Sequence, residues 1–112
     1  MKILIGVPTQ EYARRADFYD YYYALTRPDC EVLQIFSRGQ SPARNRNSII
    51  KAAIENNCTH ILFIDDDMAF KQDALQVLLA HDVDVVSGLY YFRGYPNYPV
   101  IFDARDTDGK CQ

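Results

Sequence analysis

Three consecutive aspartates, Asp65, Asp66 and Asp67, close an apolar run formed by Ile61, Leu62, Phe63 and Ile64. Two carboxylates about 5 Å apart repel by about 3 kcal/mol at an effective dielectric of about 20, and a third adds to that. A cation is therefore their natural partner. Oxygen-only ligands suit a hard divalent ion, Mg²⁺ or Mn²⁺, which keeps several waters and completes its shell with phosphate oxygens. A solvated acidic turn is the alternative, and spacing alone does not decide, because Asp82/Asp84 and Asp106/Asp108 repeat the D-x-D pattern. Position separates the first set: it ends an apolar run, whereas Asp82/Asp84 precede one and Asp106/Asp108 fall in a turn with Gly109.

Such a cluster needs a scaffold. Four large apolar residues at 61–64 are too few for a helix and predict a strand buried on both faces. If extended backbone continues through the acids, Asp65 and Asp67 point one way and Asp66 the other. Upstream, 2–7 predicts a first strand, and a helix over 11–26 carries Tyr12, Ala16, Tyr19 and Tyr23 as an inward stripe, stopped by Arg27 and Pro28. A second strand spans 31–36. Ser41 and Pro42 have the form of an N-cap and first helical residue, opening a helix to about Asn57 with Ile49, Ile50, Ala53 and Ile54 inward. After the aspartates, Ala74, Leu75, Leu78 and Leu79 mark a third helix, and 83–89 predicts a fourth strand. This alternation implies an α/β fold with a mostly parallel, Rossmann-like sheet flanked by helices. The segment 90–99 is rich in Tyr, Pro and Gly, and 100–104 predicts a further strand entering a hairpin turn. The hairpin's return arm barely starts, so the expectation is a single domain over 1–112 that is incomplete at its C-terminus, or one whose partner strand comes from elsewhere, a homo-oligomer included.

Composition narrows the function. With 112 residues and a net charge of -3, the chain offers no basic face for nucleic acid, and no run approaches a membrane span. The apolar stretch at the N-terminus is too short for a signal peptide. Cys30, Cys58 and Cys111 are scattered and odd in number, which suits reduced thiols in a cytoplasmic protein, the first two in or near the core.

In open α/β sheets, ligands bind outside the carboxyl ends of the strands. Those ends here carry Pro8, Thr9 and Glu11, then Ser37 and Arg38, then the aspartates, then Ser87 and Gly88. Arg44 and Arg46 lie in the first turns of the second helix, where a cation opposes the macrodipole at about 0.3–1 kcal/mol each. A local rule broken at a site edge points to function. Arg44 could meet a phosphate, a base or the aspartates, or lie solvated, and the solvated reading is preferred for Arg46. Asn45 and Asn47 suit a nucleobase edge or the helix surface.

Together these residues resemble a known family. V-P-T after the first strand, S-P-A-R-N opening a helix, ILFIDDD closing a strand and VVSGLYYFR beyond it look like the donor-binding half of GT-A-fold glycosyltransferases, close to glycosyltransferase family 2, over about residues 2–102. The resemblance implies a nucleotide-diphosphate sugar donor bound with Mn²⁺ or Mg²⁺ and an unspecified acceptor. Pro8, Thr9 and Glu11 would lie against the nucleoside, and Arg44 and Asn45 near base and ribose. Asp65 would touch ribose or metal, and Asp67 would ligate the metal. Arg38 and Asp66 complete the expected nucleotide-binding set.

The chain departs from the family in two places. Ser37, Arg38, Gly39 and Gln40 stand where a D-D-G-S-like stretch contacts the base, and no residue matches the family's general base, so the catalytic residues are unassigned. A noncatalytic nucleotide-sugar-binding or structural fragment of the same fold is the alternative. Tyr90, Tyr91, Tyr95 and Tyr98 could stack on a sugar, with Arg93 on phosphate, or cover apolar surface. A phosphohydrolase with an aspartate nucleophile fits less well: it would carry D-x-D on the first strand, whereas here the acids close the third and Met68 follows.

Overall fold

The computed structural model describes residues 1–9 and 16–88. Element order is β1 (Lys2–Pro8), α1 (Ala16–Ala24), β2 (Glu31–Ser37), α2 (Pro42–Glu55), β3 (His60–Phe63) and α3 (Ala74–Ala80). The three strands form one all-parallel sheet in the order β2-β1-β3, flanked by helices, a small Rossmann-like α/β arrangement. Sheet and helices lie within the compact unit Met1–Ala80. Among the described residues, no helix is long and apolar enough to cross a membrane.

The central strand explains the layering. In β1, Ile3, Ile5 and Val7 are fully buried on one face with Phe18, Tyr22 and Leu25 of the α1 segment and Leu75 of α3. Leu4 faces the other way, against Ile49 and Ala53 of α2. Strand alternation thus sends odd residues toward α1 and α3 and even ones toward α2. Each such buried aliphatic side chain contributes about 1.5–3 kcal/mol. β1 is in register with β2 from Lys2↔Glu31 to Pro8↔Ser37 and with β3 from Ile3↔His60 to Gly6↔Phe63. Gly6 is where α2 comes closest: a Cβ there would overlap Ile49 Cγ2.

Several expectations are corrected. β3 is an edge strand of the described sheet, with His60 and Ile61 exposed and Leu62 and Phe63 half-buried, so it is not covered on both faces. Its fully buried residue is Ile64, just past the strand. Helix α1 turns Phe18 and Tyr22 fully inward, keeps Tyr19 of the predicted stripe partly buried against the core, and leaves Tyr23 at 70% exposure. The stripe's Tyr12 lies outside the described residues. In α2, Ile49 and Ala53 are buried as expected, but Ile50 and Ile54 are exposed because they lie off the line through Asn45, Ile49 and Ala53. Residues 83–88, expected to begin a fourth strand, are exposed and form none; Leu89 and the strand expected at 100–104 lie outside the described residues. Cys30 and Cys58 are half-buried against the two faces of the core, as expected.

Tyr22 combines packing with a polar tip. Its ring packs beside Phe18 and Phe36, its hydroxyl donates to Gln34 Oε1, and the Arg27 guanidinium sits 5.3 Å from the ring centre. Burial pushes the phenol above its ordinary value, against the hydrogen bond and charge of Arg27, which pull it down. The unfolded chain therefore loses this proton first. Its contribution is fully present below about pH 10 and declines as the pH rises above that.

Two outcomes follow from this packing. Gly6→Ala should lower the unfolding free energy by about 1–3 kcal/mol, because the added methyl overpacks the β1–α2 contact; urea denaturation measures it. Tyr22→Phe should cost about 0.5–1.5 kcal/mol at neutral pH and remove Tyr22's share of the stability loss above pH 10, seen by comparing denaturation at pH 8 and pH 11.

Candidate functional site

From β1 the chain passes to β2 on one side through α1, then crosses back to β3 on the other side through α2. The connections leaving the carboxyl ends of β1 and β2, through α1 and α2, cover opposite faces of the sheet and diverge beyond those ends, while the chain leaving β3 leads to α3 on the face of α1. This reversal of strand order is the place where open α/β sheets bind ligands. A cleft of about 660 Å³ lies there, lined by Pro8, Thr9, the turn from Gly39 to Pro42, Asn45, Arg46 and the three aspartates.

The sheet ladder carries the chain to the acids. Ile64 N–H donates to Gly6 O at 3.0 Å, extending the β1–β3 ladder past Phe63, and Thr9 N–H donates to Ser37 O at 2.8 Å on the other side. Then the backbone turns: Met68 N–H donates to Asp65 O at 3.3 Å. Because of that turn the aspartates do not alternate as they would in a strand. All three line the cleft, and Asp66, expected to face away, accepts a 2.7 Å hydrogen bond at Oδ2 from Thr9 Oγ1. Thr9 is itself buried.

The opposite wall is the start of α2. Gly39 has a φ of 82°, the left-handed conformation that glycine tolerates, and the chain turns there into the helix. Ser41 caps it, accepting from Arg44 N–H through Oγ at 3.3 Å, and Pro42 takes the first turn. No acidic residue occupies that turn, so the positive end of the helix dipole is left without a carboxylate of its own.

Asn45 locks this wall to the strands. Only 3% exposed, it accepts from Ser37 Oγ at 3.2 Å and donates through Nδ2 to Thr9 O at 3.4 Å and Gln40 O at 3.2 Å. One amide thus ties the ends of β1 and β2 and the turn before α2 together. Its polar atoms are engaged by the protein, which makes it a positioning residue here rather than a side chain reaching for a base. Asn47, the other amide, is exposed.

Arg46 Nη2 meets Asp65 Oδ1 at 3.1 Å, with the two side chains 44% and 41% exposed. A pair so accessible to water contributes about 0–1 kcal/mol. Of the sequence-predicted residues, Pro8, Thr9, Asn45, Asp65, Asp66 and Asp67 are brought together at the cleft. Arg38 and Arg44 are exposed and do not line it. Glu11 lies outside the described residues.

Arg46 therefore holds the place expected for Arg44: it is half-exposed, as anticipated, but it pairs with Asp65. Helical spacing carried the signal: Arg46, Ile49 and Ala53 recur at i, i+3 and i+7 on the inward stripe, and Arg44 falls off it. The turn from Gly39 to Pro42, whose first residues stand where the resembling family contacts the base and whose last open α2, forms one side of the cleft.

Electrostatically the cleft is divided. Three carboxylates gather at the β3 end, while one guanidinium and a helix N-terminus face them. Among the described residues, no group of three or more His, Cys, Asp or Glu side chains is gathered so as to hold a metal ion. Two carboxylates remain a sufficient protein share for Mg²⁺ or Mn²⁺ when ligand phosphates supply the rest of the shell. The donors suit such an ion. Compared with protein family models, with curated proteins and with solved structures, the chain matches none.

Asn45→Ala would orphan several partners at once. It should cost about 1–3 kcal/mol in urea denaturation, while Arg46→Gln should change stability by no more than about 1 kcal/mol.

Proposed function

We propose that the cleft binds a nucleotide-diphosphate sugar with a divalent cation, as the donor-binding part of a metal-dependent glycosyltransferase. The observation that carries this reading is the meeting of an acidic strand end with an arginine-bearing helix start at the reversal of strand order. An anionic diphosphate entering a cleft with three carboxylates needs a counter-cation, and the positive end of the α2 dipole, which has no carboxylate of its own, borders the same cleft. Asp65 and Asp67 would hold the ion, Mn²⁺ or Mg²⁺, with Asp66 fixed beside them by Thr9. When bound, such a metal stabilises the charge that builds on a departing diphosphate. The protein's own part is to fix the turn, shape the cleft and hold the phosphates near the helix. The motifs V-P-T, S-P-A-R-N and ILFIDDD support the transferase class through their resemblance to that family.

A second reading has an observation in its favour. Asp65 and Asp66 each already have a protein partner, Arg46 and Thr9, as they would if the acids only clasp the sheet end to α2 in a noncatalytic module. Binding of a nucleoside diphosphate with Mn²⁺ but without sugar transfer or hydrolysis would select a noncatalytic binder. No binding at all would leave the clasp.

A melting screen of uridine, guanosine, adenosine and cytidine diphosphates, with and without Mn²⁺, tests the binding claim. At 100 times its dissociation constant a ligand adds about 2.7 kcal/mol to stability, a shift of several degrees in a chain this size. One of the four should raise Tm only when Mn²⁺ is present. Asp67→Ala should abolish that shift, measured against the variant's own ligand-free Tm; an undiminished shift in the variant would remove Asp67 from the metal site.

A further inference from the structure

Building on the cleft assignment proposed above, we infer that Arg46 is an exchangeable internal cation: it holds Asp65 while the cleft is empty and is transferred to the diphosphate when a divalent ion takes that carboxylate. The geometry points to exchange rather than to a fixed brace. Arg46 Nη2 reaches a single oxygen, Asp65 Oδ1, at 3.1 Å, and both side chains are open to solvent. Among the described lining residues, Arg46 is the one basic side chain, so a diphosphate in the cleft has this guanidinium as its near cation. A metal ion and a guanidinium compete for the same carboxylate charge. Asp66 differs, because a neutral hydroxyl, Thr9 Oγ1, holds it at 2.7 Å and fixes the turn without adding positive charge.

The first turns of α2 make the second half of the exchange favourable. A guanidinium there opposes the helix dipole, and its carboxylate partner offsets that cost. An anion bound at the helix start would do the same, and phosphate oxygens accept the planar guanidinium fork in a bidentate manner. Metal binding thus releases the group that grips the nucleotide, and by linkage the nucleotide draws Arg46 away from the metal's carboxylate. Each ligand favours the other beyond their direct contact.

The exchange demands effects of opposite sign from one substitution. Arg46→Gln removes the competitor of the ion and the clamp of the diphosphate together. Free Mn²⁺ followed by electron paramagnetic resonance gives the affinity for the ion alone. Calorimetry in saturating Mn²⁺ gives the affinity for whichever of the four nucleoside diphosphates produced the largest melting shift.

In Arg46→Gln, Mn²⁺ alone should bind about 3-fold tighter and the nucleoside diphosphate about 10-fold weaker than in the wild type. Arg46→Lys, which keeps the charge and loses the fork, should leave Mn²⁺ affinity near the wild-type value and weaken nucleotide binding by an intermediate factor. Ligand-free melting of both variants accounts for any loss of fold, and should Arg46→Gln fail to fold, the lysine variant's split between metal and nucleotide carries the test. Changes of the same sign, or none, in a wild-type background that binds both ligands would overturn the exchange alone. A wild-type chain that binds neither Mn²⁺ nor any of the four diphosphates would overturn the cleft assignment, and the exchange with it.

Discussion

The pairing of β1 on both of its edges is the constraint from which everything else in this chain follows. Ile3, Leu4, Ile5 and Val7 are buried from the two faces while β2 and β3 take up the backbone from the two sides. A strand so enclosed cannot slip by one residue without turning its core side chains to the wrong face. Its exit is therefore fixed in position, and Thr9, the first residue beyond it, is fixed too. Gly6 lets α2 approach that strand, which brings the start of the same helix to the cleft. The position of the acidic turn is thus a result of core packing several residues away.

The polar groups at the strand ends show what such a scaffold can tolerate. Three adjacent carboxylates repel; Thr9 holds Asp66 through a hydroxyl, and the half-exposed guanidinium of Arg46 meets Asp65. Little stability is invested in holding the charges together. More is invested in Asn45, which is buried and engaged on every side. The division is between a rigid frame and a loosely neutralised acidic face.

Much of this was legible in the residues. The apolar runs at 2–7 and 31–36 became β1 and β2, Ser41 and Pro42 capped α2 as their types dictate, and the acids do follow an apolar strand at its carboxyl end. What was not legible depends on neighbours. Whether an apolar run is a central or an edge strand is decided by pairing, which local pattern does not report, and β3 lies at an edge of the described sheet. Strand alternation did not extend through Asp66, because a turn begins at Asp65. The α1 face was misjudged by one residue because 21–23 is an unbroken run of tyrosines, so aromatic spacing could not distinguish Tyr22 from Tyr23. The choice between Arg44 and Arg46 needed the buried line of α2 as a reference, and once Ile49 and Ala53 define it, Arg46 is the one beside it.

The central claim, that the aspartates at the end of β3 hold a divalent cation, is tested most directly by titrating the ¹⁵N-labelled chain with Mn²⁺ and following paramagnetic broadening of backbone amides. The account predicts saturable broadening centred on Asp65, Asp66 and Asp67 that reaches Thr9, Asn45 and Arg46 across the cleft. Broadening centred on Asp82 and Asp84, or weak broadening spread evenly over exposed acids without saturation, would contradict it.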